Sequence, residues 1–288
     1  MTATSNKPAG DSTGDYALGY TSGEHDRLIR QAARIAPVTE RLFRAAGIAS
    51  GQRVLDLGSG MGDVSMLLAK FVGPSGHVVG IERDANSIAR ARARVAEAGL
   101  QNVEFTQTDA NEILSDRLFD AAVGRFILMF LPDPTSVLRS LSRLVRPGGV
   151  IAFQEPTWIP FLAFSARLPL WSKVLSVIHQ TFLASGVNPE MGPDLYRAFK
   201  QIGLPAPNMH VEMLLGSDDE FIALVCDILG SIRSLADQHH IPLERLGDLS
   251  TLTPRVQTEI ASHDTFVSFV PLVGVWSRVP NDSSFATP

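Results

Sequence analysis

The densest chemistry in the sequence lies in the run Val54-Leu55-Asp56-Leu57-Gly58-Ser59-Gly60-Met61-Gly62. An apolar strand pattern leads straight into alternating glycines and then into a helical pattern. Where side chains are absent, the backbone can turn sharply and a ligand can approach the main chain at a helix start. The dinucleotide fingerprint wants glycine at the first, third and sixth positions, but here the sixth is Asp63. A triphosphate loop ends in Gly-Lys-Ser/Thr, which this run lacks. A second signal closes the next strand pattern, His77-Val78-Val79-Gly80-Ile81-Glu82. An acid about 20 residues after a glycine turn, at a strand's carboxyl end, is placed to accept hydrogen bonds from both hydroxyls of a ribose. Asp109, which follows Val103 to Thr108, is the third. It suits an adenine amino group, and it equally suits a helix cap.

These residues need a scaffold that brings strand ends together. Alternating patterns predict strands at Arg53–Leu57, His77–Ile81, Val103–Thr106, Ala121–Val123 and Gly149–Gln154, with helices at Val64–Val72, Ala85–Ala98 and Thr135–Leu144. Such alternation defines an α/β fold with a parallel sheet covered on both faces. Upstream, Glu24–Ala46 reads as helix broken or bent at Pro37. Downstream of Pro156 the chain turns rich in Trp, Phe and Leu, and Trp171, Val174, Leu175, Ile178 and Phe182 share one helix face. That face either packs on the domain or roofs a pocket. A helix over Gly192–Ile202, a strand over Met209–Leu215, a long helix over Asp219–Gln238 and a closing strand over Thr265–Val279 follow, while Ile241–Ser262 carries no clear pattern.

The composition bounds the partners. The chain has 288 residues, 45% of them hydrophobic and 19% charged, and a formal charge of -5. This is a globular composition without the basic excess of a nucleic-acid or anionic-membrane binder. The single cysteine, Cys226, makes no intrachain disulfide and reads as a small core residue. The first residues lack a signal-peptide pattern, and no apolar run approaches the roughly 20 residues of a membrane span. The expected location is cytoplasmic.

At this point the chain resembles the class I S-adenosylmethionine-dependent methyltransferases. The run Asp56–Gly62 is similar to the family's first motif, Glu82 to its ribose-binding acid, Asp109-Ala110 to its adenine contact, and Leu144-Val-Arg-Pro-Gly-Gly149 to the turn before its fifth strand. The resemblance implies a Rossmann-like seven-stranded sheet with helices on both faces, N-terminal helices and a helical lid insertion. It divides the chain into a mobile tail (residues 1–14), a helical cap (15–47), a cofactor-binding core (48–156), a lid with the closing strands (157–279) and a second tail (280–288). The segment Tyr16–Tyr20 through Glu24, Arg27, Leu28 and Gln31 resembles a bacterial small-molecule subgroup whose leading helices close over the cofactor. Implied contacts to S-adenosylmethionine come from Tyr20, Gln31, Asp56, Gly58, Ser59, Gly60, Glu82, Arg83, Asp109, Ala110 and Arg125.

The implied reaction is an in-line displacement at the sulfonium methyl, leaving S-adenosylhomocysteine. It needs alignment and water exclusion more than acid–base machinery. Phe161, Phe164, Trp171 and Phe182 are candidates to line an apolar lid, with core packing as the alternative. A base is needed only for an acceptor that must lose a proton. Glu155, at the carboxyl end of the fifth strand, suits a base, a substrate-orienting group or a brace of the cofactor pocket. His179, beside the apolar helix face, and His263 are further candidates. His239-His240 lacks metal-site spacing, so no metal is expected. The segment after the fourth strand reads Gly124-Arg-Phe-Ile-Leu rather than the Asn/Asp-Pro-Pro-Tyr of enzymes that methylate base or glutamine amino groups. The expected acceptor is therefore a small, largely apolar or aromatic molecule, methylated on oxygen in preference to carbon or nitrogen. Two other readings stand beside it: a cofactor-binding relative with non-methylating chemistry, and a catalytically silent binding protein. The apolar insert also suits a homodimer interface.

Overall fold

The computed structural model describes residues 22–281. The expected tail over 1–14, residues 282–288 of the expected tail over 280–288, and Tyr20 lie outside the described residues. The elements are α1 (Ser22–Ala46), β1 (Arg53–Leu57), α2 (Asp63–Val72), β2 (His77–Glu82), α3 (Ala85–Glu97), β3 (Val103–Gln107), β4 (Phe119–Arg125), α4 (Pro134–Leu144) and β5 (Val145–Pro156). There follow α5 (Ile159–Phe164), α6 (Pro169–Ala184), α7 (Met191–Gln201), β6 (Asn208–Glu212), β7 (Leu215–Gly216), α8 (Asp219–Ser231), α9 (Arg233–Gln238), α10 (Leu252–Ser262), β8 (Val267–Ser268) and β9 (Leu272–Arg278).

Seven strands form one sheet in the order β3-β2-β1-β4-β5-β9-β6. The first five run parallel, and β9 is antiparallel to both of its neighbours. Alternate strand residues feed opposite cores, because successive side chains of a strand point to opposite faces. Val54, Ala121, Val123, Val150 and Ala152 pack with Phe43 of α1 and with Val64, Leu68 and Val72 of α2. Leu55, Leu57, Ala122, Ile151 and Phe153 pack instead with Val137, Leu138 and Leu141 of α4 and with Leu195 and Phe199 of α7. Both faces are covered, which explains why these strands read as continuous apolar runs. Strand order reverses between β1 and β4, and the crevice at that switch point is where open α/β sheets bind ligands.

Three sequence expectations need correction, and a fourth, for α1, is narrowed. The helix α1 runs through Pro37 without a break. Met209–Leu215 is not one strand: β6 joins the main sheet, whereas β7 pairs with β8 in a small separate sheet. Thr265–Val279 is likewise divided, at Phe269–Pro271; Pro271 has no N–H to donate to a ladder. The long helix over Asp219–Gln238 ends at Ser231 and resumes at Arg233. The segment without a clear pattern contains two short 3-10 helices and α10.

Candidate active site

A cleft with about 910 Å³ of empty space, counted out into the solvent at its mouth, lies over the carboxyl ends of β1, β4 and β5. One wall is the glycine turn, together with Arg27, Leu28, Gln31 and Ala32 of α1. The rest of the lining is mainly apolar: Phe126, Met129 and Phe130 after β4, then Trp158, Phe182, Ile228, Phe269 and Val270.

The glycine turn is held by Ser59 N–H donating to Ile81 O (2.9 Å) and Gly62 N–H donating to Ser59 O (2.8 Å). Gly58 has φ 65°, and a Cβ there would meet Ile127 at 2.6 Å. Gly60 has φ 51°, and a Cβ there would meet nothing within 4 Å. Gly58 is thus required by packing and conformation, while Gly60 presents open backbone to the cleft. The buried Oγ of Ser59, on the same wall, has no hydrogen-bond partner among the described residues. Beneath the turn, Asp56 is buried and does not reach the cleft wall. One of its oxygens accepts from Ser65 Oγ (2.6 Å), the other from nothing described, and burial pushes its carboxyl up to about 7.

Glu82 stands against this turn. Its Oε2 accepts from Gly60 N–H (3.0 Å), and its Oε1 from the N–H groups of Arg83 (2.8 Å) and Asp84 (3.0 Å). A carboxylate has about four lone-pair sites, so capacity remains for a ligand hydroxyl. Arg83 is exposed beside it. Thr108 N–H donates to Glu82 O (3.1 Å), which ties the β3 end to the β2 end. Asp109 is exposed just beyond, its Oδ1 accepting from Asn111 N–H (2.9 Å) and Nδ2 (2.8 Å), and Ala110 packs on the core. Glu82, Asp109 and Ala110 lie along the sheet edge outside the cleft itself, so an extended ligand would reach from the cleft past Glu82 to Asp109.

Two arginines face the cleft. Arg27 is buried and donates from Nη1 to Gln31 Oε1 (2.7 Å). Arg125, at the end of β4, donates from Nη1 to Thr39 Oγ1 (3.0 Å). Burial lowers the affinity of Arg125 for its proton, against the opposing charges of Asp63 and Asp56. The one carboxylate on the described wall, Asp63, is paired with Arg94 (2.7 Å).

The apolar wall depends on Glu155. Fully buried, it accepts from the N–H groups of Ile127 (3.0 Å), Leu128 (2.8 Å) and Met129 (3.4 Å), capping the 3-10 helix Leu128–Phe130. Phe126, immediately before, adopts the left-handed conformation (φ 54°), which is uncommon for a bulky residue and marks a fixed turn. Together they set Phe126, Met129 and Phe130 against the cleft. Burial raises the Glu155 carboxyl to about 7 although its three backbone donors oppose this. Glu155 is not among the residues that line the cleft, and its bonds hold the segment after β4 in place.

His179 also stands one layer back. It stacks on Trp158 with centroids 5.9 Å apart, and burial lowers its pKa against the nearby charge of Glu190. His263 is exposed at the end of α10, bonded to Glu259 O (2.8 Å). Of the four candidate lid aromatics only Phe182 reaches the cleft. Phe161 and Trp171 are core residues, and Phe164 is exposed against Phe266. Cys226 is buried, its thiol pushed up to about 11 by burial. No cluster of metal-ligating side chains occurs among the described residues.

Sequence reasoning missed Trp158, Ile228, Phe269 and Val270 on the wall, as well as Thr39 and Gln154 behind Arg125. Trp158 carried a signal, an aromatic just past a sheet strand's carboxyl end. The others are brought in from distant elements by tertiary packing alone.

An open glycine turn, an acid bonded to it and a largely apolar cleft thus lie together at the switch point of this α/β sheet. The methyltransferase-domain family matches residues 48–186. The demethylmenaquinone methyltransferase of Bacillus cytotoxicus is 31% identical over 175 residues, covering 56% of this chain and 73% of that one. That of Listeria monocytogenes serotype 4a is 30% identical, and this chain spans 63% of its length, just under two thirds. Among solved structures, the [4+2]-cyclase SpnF shares the fold, with a TM-score of 0.52 at 18% identity over 86% of this chain and 82% of that one. The chain belongs to the class I S-adenosylmethionine-dependent methyltransferases.

Proposed function

We propose that this enzyme transfers the methyl group of S-adenosylmethionine to an oxygen of a small, largely apolar aromatic molecule. The observation that carries the reading is the junction of two unlike walls, a glycine turn open at Gly60 and an apolar chamber formed by Phe126, Met129, Trp158 and Phe182. The residues suit the cofactor: Ser59 Oγ has an unmet hydrogen bond, Glu82 offers acceptors to a ribose, and Arg125 offers a cation to the cofactor's carboxylate. When bound, the cofactor supplies a methyl group already activated by its sulfonium.

The chain's own part is alignment and exclusion of water. Holding donor and acceptor in one geometry supplies much of the barrier reduction in such displacements, and an apolar chamber keeps competing water away. With Asp63 tied to Arg94, no described wall residue is set up as a base, which favours an acceptor acidic enough to ionise by itself. The demethylmenaquinone methyltransferase relatives are named for a quinone acceptor, which supports a small apolar ring compound as the acceptor class but not oxygen as its methylated atom.

The test uses methyl-labelled cofactor with a panel of small phenols, acidic carbon compounds and amines. Label recovered on phenolic oxygen supports the reading, and label on carbon or nitrogen moves the acceptor atom. Product formed without label would overturn methyl transfer in favour of non-methylating chemistry, while cofactor binding with no product from any acceptor would favour a silent binder.

A further inference from the structure

Arg125 is held by a short polar chain across three elements. Its Nη1 donates to Thr39 Oγ1 of α1 (3.0 Å), and Thr39 Oγ1 donates to Gln154 Oε1 of β5 (2.7 Å). Arg125 and Gln154 are register partners on neighbouring strands. Thr39 and Gln154 are almost fully buried, and the Nε2 of Gln154 has no partner among the described residues. A buried amide with an unmet donor is a poor choice for packing alone, since an apolar side chain of similar shape would fill the place without that cost. It is a good choice where an acceptor must face a hydroxyl.

The hydroxyl matters because of where Arg125 stands. Its guanidinium is desolvated, lines the cleft and bonds no carboxylate among the described residues, although Asp56 and Asp63 both exert their charge on it. A long side chain in that field has a competing state, collapse onto one of those carboxylates. Thr39 opposes it: with its own hydrogen given to Gln154, its lone pairs face Arg125 and hold the guanidinium in one fork orientation.

We propose that Thr39 and Gln154 are positioning residues that hold Arg125 toward the cofactor's carboxylate. This rests on the methyltransferase reading above. It also gives α1 a second task, because the helix that supplies Arg27 and Gln31 to the cleft is locked to the sheet at the cofactor end by the same hydroxyl.

The experiment measures S-adenosylhomocysteine binding by calorimetry, with cofactor kinetics and thermal midpoints alongside, for Thr39→Val, Thr39→Ser, Gln154→Met and Arg125→Met in the full chain. Loss of one neutral hydrogen bond predicts roughly five- to tenfold weaker binding in Thr39→Val and in Gln154→Met. The KM for cofactor rises more than kcat falls, and Thr39→Ser restores most of the affinity. In an Arg125→Met background Thr39→Val has almost no further effect, because Thr39 acts through Arg125. Wild-type affinity in Thr39→Val and Gln154→Met, or a loss that persists undiminished in the Arg125→Met background, overturns the positioning role. Wild-type protein that binds no S-adenosylhomocysteine overturns the methyltransferase reading itself.

Discussion

Burial and three backbone donors act on the Glu155 carboxylate in opposite senses, and pH reads out the balance. Burial wins, leaving the carboxyl at about 7 in the folded protein, against about 4.3 in an unfolded chain. Between those values the folded protein keeps a proton that the unfolded chain has lost, so stability falls as pH rises through the window and levels off above about 7. Each pH unit within it carries up to ~1.4 kcal/mol from this one group. Glu155→Gln keeps a carbonyl oxygen for the Ile127 and Leu128 donors and removes the titration. Urea unfolding of both proteins from about pH 5 to pH 8 is expected to show the difference moving in the variant's favour by roughly 2–3 kcal/mol, ending near pH 7. Asp56, raised to a similar value, is present in both proteins and cancels. Parallel curves would refute the reasoning, since they would mean that the three donors outweigh burial and keep the carboxylate ionised throughout.

Glu82→Ala removes a charged acceptor at the ribose position; calorimetry should show S-adenosylhomocysteine affinity falling by about 1.5–3 kcal/mol, and unchanged affinity would exclude the ribose contact. Gly58→Ala and Gly60→Ala separate scaffold from ligand approach. Both incur roughly 1–2 kcal/mol for a left-handed alanine, but only Gly58→Ala also drives Cβ into Ile127, so its thermal midpoint falls further, while Gly60→Ala loses cofactor affinity with the smaller loss of stability. Trp158→Ala empties a buried site against Phe161, Phe182 and His179; unfolding free energy should drop by about 3–5 kcal/mol and acceptor KM should rise, with cofactor affinity retained.

The cofactor half was legible because its signals are local. Apolar strands end at Leu57 and Glu82, and the glycines fall where the backbone must turn, so sequence spacing alone placed the turn beside the acid; the Gly60 to Glu82 bond is that juxtaposition. The acceptor half was less legible because its determinants are contacts between distant elements. The apolar face of α6 read equally well as lid or core, and burial of Trp171 and Phe161 makes most of it core. Glu155 looked like a base because topology brought it to the ligand edge, but its side chain turns back to cap Ile127, Leu128 and Met129, a pairing of residues nearly thirty positions apart. Thr39 and Gln154 carried no signal at all, being unremarkable residues in well-patterned elements. The split of Thr265–Val279 could have been read from Pro271, which cannot donate to a central ladder.

The neighbouring strands β6 and β9 form an antiparallel pair in register from Asn208↔Trp276 to Glu212↔Leu272, so the chain leaves the sheet after Glu212 and returns beside the same point at Leu272. Everything between, α8 and α10 included, is a long excursion whose ends are stapled together by backbone hydrogen bonds. It supplies Ile228, Phe269 and Val270 to the chamber but contributes nothing to the turn at Gly58–Gly60. The excursion therefore shapes the chamber from the far end of the sheet, while the register of β1 with β2 and β4, which sets the glycine turn, is fixed without it.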